Sequence, residues 1–139
     1  YTMIQKFLPI EMQLTYQVDG EPLEQLPNGY SDHYVLDGFE RDYEQGYDDA
    51  QAFLHVYTDI MTNDFYTVSC AIVQNQNQKE LFDNEHTKYR KVKMGDVEAL
   101  LGEDKNTGYY LIWEDEGITH TIIGRISIKE LMLVAQKIY

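Results

Sequence analysis

With 24 acidic against 11 basic side chains in 139 residues, a formal charge of −13, the chain repels nucleic-acid phosphates and anionic bilayers, which excludes nonspecific binding to either. Its 43% hydrophobic content is enough for one folded core, and its one cysteine excludes an intrachain disulfide and any cysteine-rich zinc site. Twelve tyrosines and five phenylalanines, many in alternating runs, favour sheet over a helical bundle, and no run approaches the ~20 apolar residues of a membrane-spanning helix.

Tyr1 to Leu8 is ambiguous in pattern. From Ile10 to Val18, apolar Ile10, Met12, Leu14, Tyr16 and Val18 alternate with polar residues, which predicts a half-buried strand ended by the Asp19-Gly20 turn. Pro22, Pro27 and Asn28-Gly29 mark an irregular connection. Tyr30 to Asp49 mixes aromatics with acids, and Gly38 and Gly46 argue against one long helix, so we expect a short strand near Tyr34 to Leu36 and an extended segment around Phe39 to Tyr43. Phe53 to Ile60 and Phe65 to Val73 are β-rich runs separated by a turn containing Asn63-Asp64, hence a hairpin. A polar loop is expected at Gln74 to Gln78 and one helical turn at Lys79 to Asn84. Tyr89 to Met94 and Val97 to Leu101 read as strands joined by Gly95-Asp96, followed by a polar turn from Gly102 to Gly108.

Tyr109 to Glu114 and Ile118 to Ile123 form a second hairpin holding the only tryptophan. Two registers are open. A two-residue turn at Glu116-Gly117 pairs Trp113 with His120, whereas a three-residue loop with a Gly117 bulge places Thr119 opposite Trp113. In either register Asp115 and Glu116 occupy the exposed tip. Ser127 with Glu130 then forms a capping box, Ile126 and Leu131 a hydrophobic staple, and Ile128, Leu131, Met132, Ala135 and Ile138 an apolar helical stripe. The expected fold is therefore one α+β domain over residues 1–139, a mostly antiparallel twisted sheet of about six or seven strands with the C-terminal amphipathic helix packed on one face.

Reactive motifs are few. His33, His55, His86 and His120 show no metal-binding spacing, no nucleotide-binding or nucleophile-elbow motif occurs, and neither a metal nor another cofactor is expected. The acidic run DGFERDYEQGYDD lacks the ligand spacing of an EF-hand loop. Cys70, inside VSCAIV, reads as a buried structural thiol. A hydrolase would draw on Glu114 or Glu116 with His120, and this is the weakest of the three functional readings. Lys88, Arg90, Lys91 and Lys93 hold four of the 11 basic residues, with Lys91 and Lys93 on one strand face and Lys88 and Arg90 on the other beside Val92 and Met94. They could dock an acidic partner or counter the acidic Tyr30 to Asp49 segment, and the second, structural role is preferred.

In residue order the chain resembles the family catalogued as domain of unknown function 4367. The resemblance runs from about Tyr34 to Tyr139 and rests on YVLDGFERDY, the FLHVYTD and YTVSCAIVQ strands, VKMGDVEALL, and YYLIWEDEGITHTIIGRISIKELMLVAQKI. The family usually has a proline before the glycine-aromatic pair, where this chain has Leu36-Asp37-Gly38-Phe39. Residues 34–139 are thus a family-like core and 1–33 an N-terminal extension. The resemblance implies an extracytoplasmic domain, often following a transmembrane helix, in Gram-positive bacteria; some relatives carry an anti-sigma-like cytoplasmic region before that helix. It implies no catalytic residues and no cofactor. A start at Tyr1 rather than methionine fits a piece excised from a longer protein whose upstream part carries the anchor. The leading expectation is a non-catalytic, cell-surface sensory or protein-interaction domain. The alternative is a binding module for cell-wall glycan, peptide or lipid, using the aromatic-rich surface of Tyr30, Tyr34, Tyr43 and Tyr47 or a helix-sheet groove near Trp113 and His120.

Overall fold

The computed structural model describes residues 2–7, 11–17, 22–73, 77–83 and 87–139, with side chains for 22–73 and 87–139. Among the described residues eleven strands and one helix follow in chain order: β1 (Thr2–Phe7), β2 (Glu11–Gln17), β3 (Phe39–Arg41), β4 (Tyr47–Asp48), β5 (Ala52–Asp59), β6 (Phe65–Ile72), β7 (Asn77–Asp83), β8 (Thr87–Met94), β9 (Val97–Asp104), β10 (Gly108–Asp115), β11 (Ile118–Gly124) and α1 (Ile128–Gln136). The large sheet is antiparallel throughout, ordered β3-β5-β6-β11-β10-β9-β8, with β4 also paired to β5 as its eighth strand. A separate three-stranded sheet is formed by β1, β2 and β7. The sheet and its single helix are as the sequence implies. Of the helical turn expected at Lys79 to Asn84, residues 79–83 are instead in strand β7, paired with β2, and Asn84 lies outside the described residues; the strand expected near Tyr34 to Leu36 is irregular chain. In both places a tertiary partner decides the local conformation: a neighbouring strand in the first, and in the second the buried tyrosine Tyr66, whose hydroxyl accepts the Leu36 N–H.

Strand alternation and register assemble the core in rows across the sheet. One row runs Ala99, Trp113, His120, Cys70, Phe53; the next runs Leu101, Leu111, Ile122, Val68, His55. All ten are buried, and helix α1 covers this face with Leu131, Val134 and Ala135. The helix starts where its capping box dictates: Ser127 Oγ accepts the Glu130 N–H, and the Glu130 carboxylate accepts the Ser127 N–H, a cap worth about 1 kcal/mol. Leu26 and Leu36, from the irregular connection, complete the core beside the helix. Gly124 is required at its row, because a Cβ there would lie 2.4 Å from the Tyr66 Cβ and 2.6 Å from the Phe65 carbonyl oxygen.

The connection is anchored to the C-terminus. Ser31 and Tyr139 exchange two backbone hydrogen bonds, and the His33 N–H donates to the Lys137 carbonyl at 2.8 Å. Asp32 bridges Ile138 between them. The His33 ring stacks on Tyr139 with centroids 4.0 Å apart. This ordered segment puts Tyr30 beside the sheet.

Candidate functional site

The two-residue turn is the one adopted in the second hairpin. Glu116 and Gly117 both have positive φ, 51° and 83°, the conformation that matches the twist of the flanking strands. Asp115 therefore pairs with Ile118 and Trp113 with His120. The two rings lie parallel, 2° apart in plane with centroids at 4.6 Å. From the connection, the Tyr30 hydroxyl hydrogen-bonds His120 Nε2 at 2.5 Å. Burial pushes the His120 imidazole down to about 4 and raises the Tyr30 phenol well above its ordinary value. At neutral pH the pair is an uncharged donor and an uncharged acceptor.

This trio forms the floor and one wall of a groove of about 570 Å³ between α1 and the sheet. Met132, Ala135 and Gln136 line it from the helix, Met94, Gly95 and Val97 from the β8–β9 hairpin, and Lys93 and Asp115 bring charge to its rim. The volume suits a small molecule or a few side chains of a peptide, and the lining sets apolar Met94, Val97, Met132 and Ala135 beside polar Tyr30, His120 and Gln136, so it offers both apolar and hydrogen-bonding contacts.

A second polar cluster is built around Asp32, two residues after Tyr30. The His55 Nδ1 lies 2.7 Å from an Asp32 carboxylate oxygen and its Nε2 2.6 Å from Asp48. Tyr57 donates its hydroxyl to the other Asp32 oxygen, and Arg41 donates to Asp48 at 2.9 Å. The side chains of Asp32 and His55 are only 1% and 3% exposed, so this is a buried ion pair, whereas that of Asp48 is 61% exposed. Burial opposes every charge in the cluster, yet the hydrogen bonds outweigh it. They hold the Asp32 and Asp48 carboxyls below the usual carboxylate range and raise His55 above the usual imidazole value. With both ring nitrogens at hydrogen-bond distance from oxygen there is no space for a metal ion between them, and His55 has no free base to offer.

Of the six residues expected to form a ligand surface, the structure brings together Tyr30, Trp113 and His120 and separates the other three. Tyr34 is half-buried against the core. Tyr43 is 80% exposed under the Arg41 guanidinium, and Tyr47 is 51% exposed on β4 at the edge of the sheet. Tyr34, Tyr43 and Tyr47 are thus not among the residues that line the groove with Tyr30. The acids considered for hydrolysis are also apart. Glu114 lies on the sheet face opposite His120, with its carboxylate accepting the Gly117 N–H at 2.8 Å, and burial pushes its carboxyl up to about 7. Asp115 and Glu116 sit exposed at the tip.

The basic strand also lies elsewhere than a charge-balancing role requires. β8 is one edge of the large sheet and β3 with β4 the other, so Lys88, Arg90, Lys91 and Lys93 cannot counter the acids of Tyr30 to Asp49. The groove residues that sequence reasoning misses are Met94, Val97, Met132, Ala135 and Gln136. Met132 and Ala135 are legible as part of the helical stripe, but periodicity alone assigns the whole stripe to the core.

A model of the family described as domain of unknown function 4367 (DUF4367) matches residues 29–138. The chain belongs to that family. No curated protein and no solved structure matches it. Every groove residue, from Tyr30 to Ile138, falls within the matched span, so groove and ion-pair cluster are both built by the DUF4367 domain. Strands β1 and β2 lie before it.

Proposed function

We propose that this DUF4367 domain is a non-catalytic recognition module, displayed outside the cytoplasmic membrane by an anchor upstream, that takes its ligand or partner through the groove between α1 and the sheet. The observation that carries this reading is the groove itself: preformed, open, lined by apolar and polar side chains together, and floored by the Trp113–His120 stack. The state of the buried histidines supports a role without catalysis. His120 is held neutral with Nε2 hydrogen-bonded to Tyr30 and Nδ1 buried without a hydrogen-bond partner, and His55 spends both ring nitrogens on carboxylates. The family resemblance supports the extracytoplasmic setting and a sensory or protein-interaction role.

Trp113 is the only tryptophan and lies at the bottom of the groove, so its fluorescence reports occupancy directly. Screening extended peptides, muropeptides and lipids by Trp113 emission and thermal shift is the test. A ligand with a dissociation constant near 10 μM, present at 1 mM, stabilises by about 2.7 kcal/mol. Ligands that stabilise the domain while leaving Trp113 emission and the Met94 and Met132 methyl resonances unmoved would overturn the assignment of the groove.

A further inference from the structure

We propose that the outer edge of β8 and the helix flank beside it dock an extended acidic segment of a partner protein, added to the sheet as a further strand. The inference rests on the groove reading above and names the partner. Three observations converge on this edge. β8 is terminal in the strand order, and among the described residues no strand pairs with its outer side. It concentrates four of the 11 basic residues of a chain of net charge −13. Among the described residues Lys88, Arg90 and Lys93 form no ion pair, while Lys91 reaches only the exposed Glu98, at 3.5 Å.

Geometry gives the partner its pattern. Register places Lys88, Arg90, Val92 and Met94 on the helix face of β8 and Lys91 and Lys93 on the other. A cavity of about 230 Å³ beside Lys88, Arg90 and Ile128 lies at one end of this strand flank, and the groove bordered by Met94 and Met132 lies at the other. A strand advances about 3.3 Å per residue with alternate side chains on one face, so helix-side residues four apart in an added strand span about 13 Å, the reach from Arg90 to Met94. The partner therefore offers an acid opposite Arg90, an apolar side chain opposite Met94, and acids on the far face opposite Lys91 and Lys93. The same charges disfavour a second copy of this chain, since β8 paired with β8 would oppose lysine with lysine.

The test titrates the isotope-labelled domain with a synthetic peptide of about nine residues, with glutamate at alternate positions and, on the other face, one further glutamate and a phenylalanine four residues from it among valines. Expected are shifts in the β8 amides from 90 to 94 and in the Met94 and Met132 methyls. Methylating the peptide backbone at alternate amides should abolish binding in one phase and spare it in the other, the mark of strand addition. Reversing two exposed charges outside the groove, Lys88→Glu with Arg90→Glu, should weaken binding about tenfold without changing the melting temperature, and a lysine version of the peptide should not bind. If the peptide perturbs Trp113 and Met132 while β8 amides stay fixed and the reversal variant binds equally, strand addition is overturned and the groove reading survives. Strand addition is likewise overturned, with the groove reading intact, if this peptide fails while an apolar ligand from the Trp113 screen binds. Failure of both screens overturns both readings, and self-association through β8 overturns the choice of partner.

Discussion

Replacing Asp32 by asparagine tests whether the buried cluster behind Tyr30 is held by charge. The carboxylate is 1% exposed and accepts from His55 and Tyr57, so the substitution leaves a buried imidazolium facing a neutral amide. Removing one partner of a buried pair costs about 3–5 kcal/mol. Asparagine still accepts one hydrogen bond and the exposed Asp48 still faces Nε2, which places the expected loss near the lower bound, about 3 kcal/mol. For a chain of 139 residues that lowers the melting temperature by roughly 10 °C. The pH dependence carries the sharper signature. His55 is raised above its ordinary value of 6.5, so its contribution is complete below that pH and fades as the pH rises through its folded value. Asp32 and Asp48 are lowered below 3.8, so theirs is complete above that pH and fades as the pH falls through their folded values. The cluster is therefore at full strength between 3.8 and 6.5. In Asp32→Asn the alkaline decline should shrink together with the loss of stability. Urea unfolding of both proteins from pH 4 to 9 measures this. A loss below about 1 kcal/mol at pH 5.5, or an alkaline decline of unchanged steepness, would show that the pair is not a buried salt bridge.

Tyr30→Phe removes the hydroxyl that hydrogen-bonds His120 Nε2 and leaves that buried nitrogen unpaired, an expected cost of about 1–3 kcal/mol, read in urea together with a change in Trp113 emission through the stacked ring. Gly124→Ala would press a Cβ to 2.4 Å from the Tyr66 Cβ, with only backbone and a buried ring to yield, so a loss of at least about 3 kcal/mol or failure to fold is expected by circular dichroism. Glu114, raised by burial from 4.5 to about 7, favours the folded state fully below 4.5 and loses that contribution as the pH rises through 7. Glu114→Gln should therefore gain stability relative to the parent on going from pH 5 to pH 8, and thermal melts at the two pH values compare them.

The second hairpin shows what a sequence states well. Glu116-Gly117 is the kind of pair a tight two-residue turn needs, so one of the two registers open in the sequence already places Trp113 against His120, and the structure selects it. The C-terminal helix is equally plain, because its start is encoded within four residues, Ser127 to Glu130. What sequence cannot give is the meeting of distant segments. Asp32, Asp48, His55 and Tyr57 read as an acidic stretch and a strand; no local period says that Asp32 crosses to His55 while Asp48 arrives from the other side. The groove stays hidden for a related reason. Met132 and Ala135 satisfy helical periodicity whether they touch the sheet or border a gap, and only the placement of the β8–β9 hairpin decides between them. The basic strand escapes sequence reasoning because strand order, which sets β8 and β4 at opposite edges, is a property of the whole sheet.

The pairing of Ser31 with Tyr139 brings the two ends of the family unit, residues 29 and 138, to one spot on its surface. Whatever precedes and follows this unit in a longer polypeptide departs from the same side. A tension applied at residues 29 and 138 themselves would open the Ser31–Tyr139 contacts by unzipping, one hydrogen bond after another. The first segment to let go would be the one that carries Tyr30, so a pull on the ends would reach the floor of the groove while the rest of the domain remained folded.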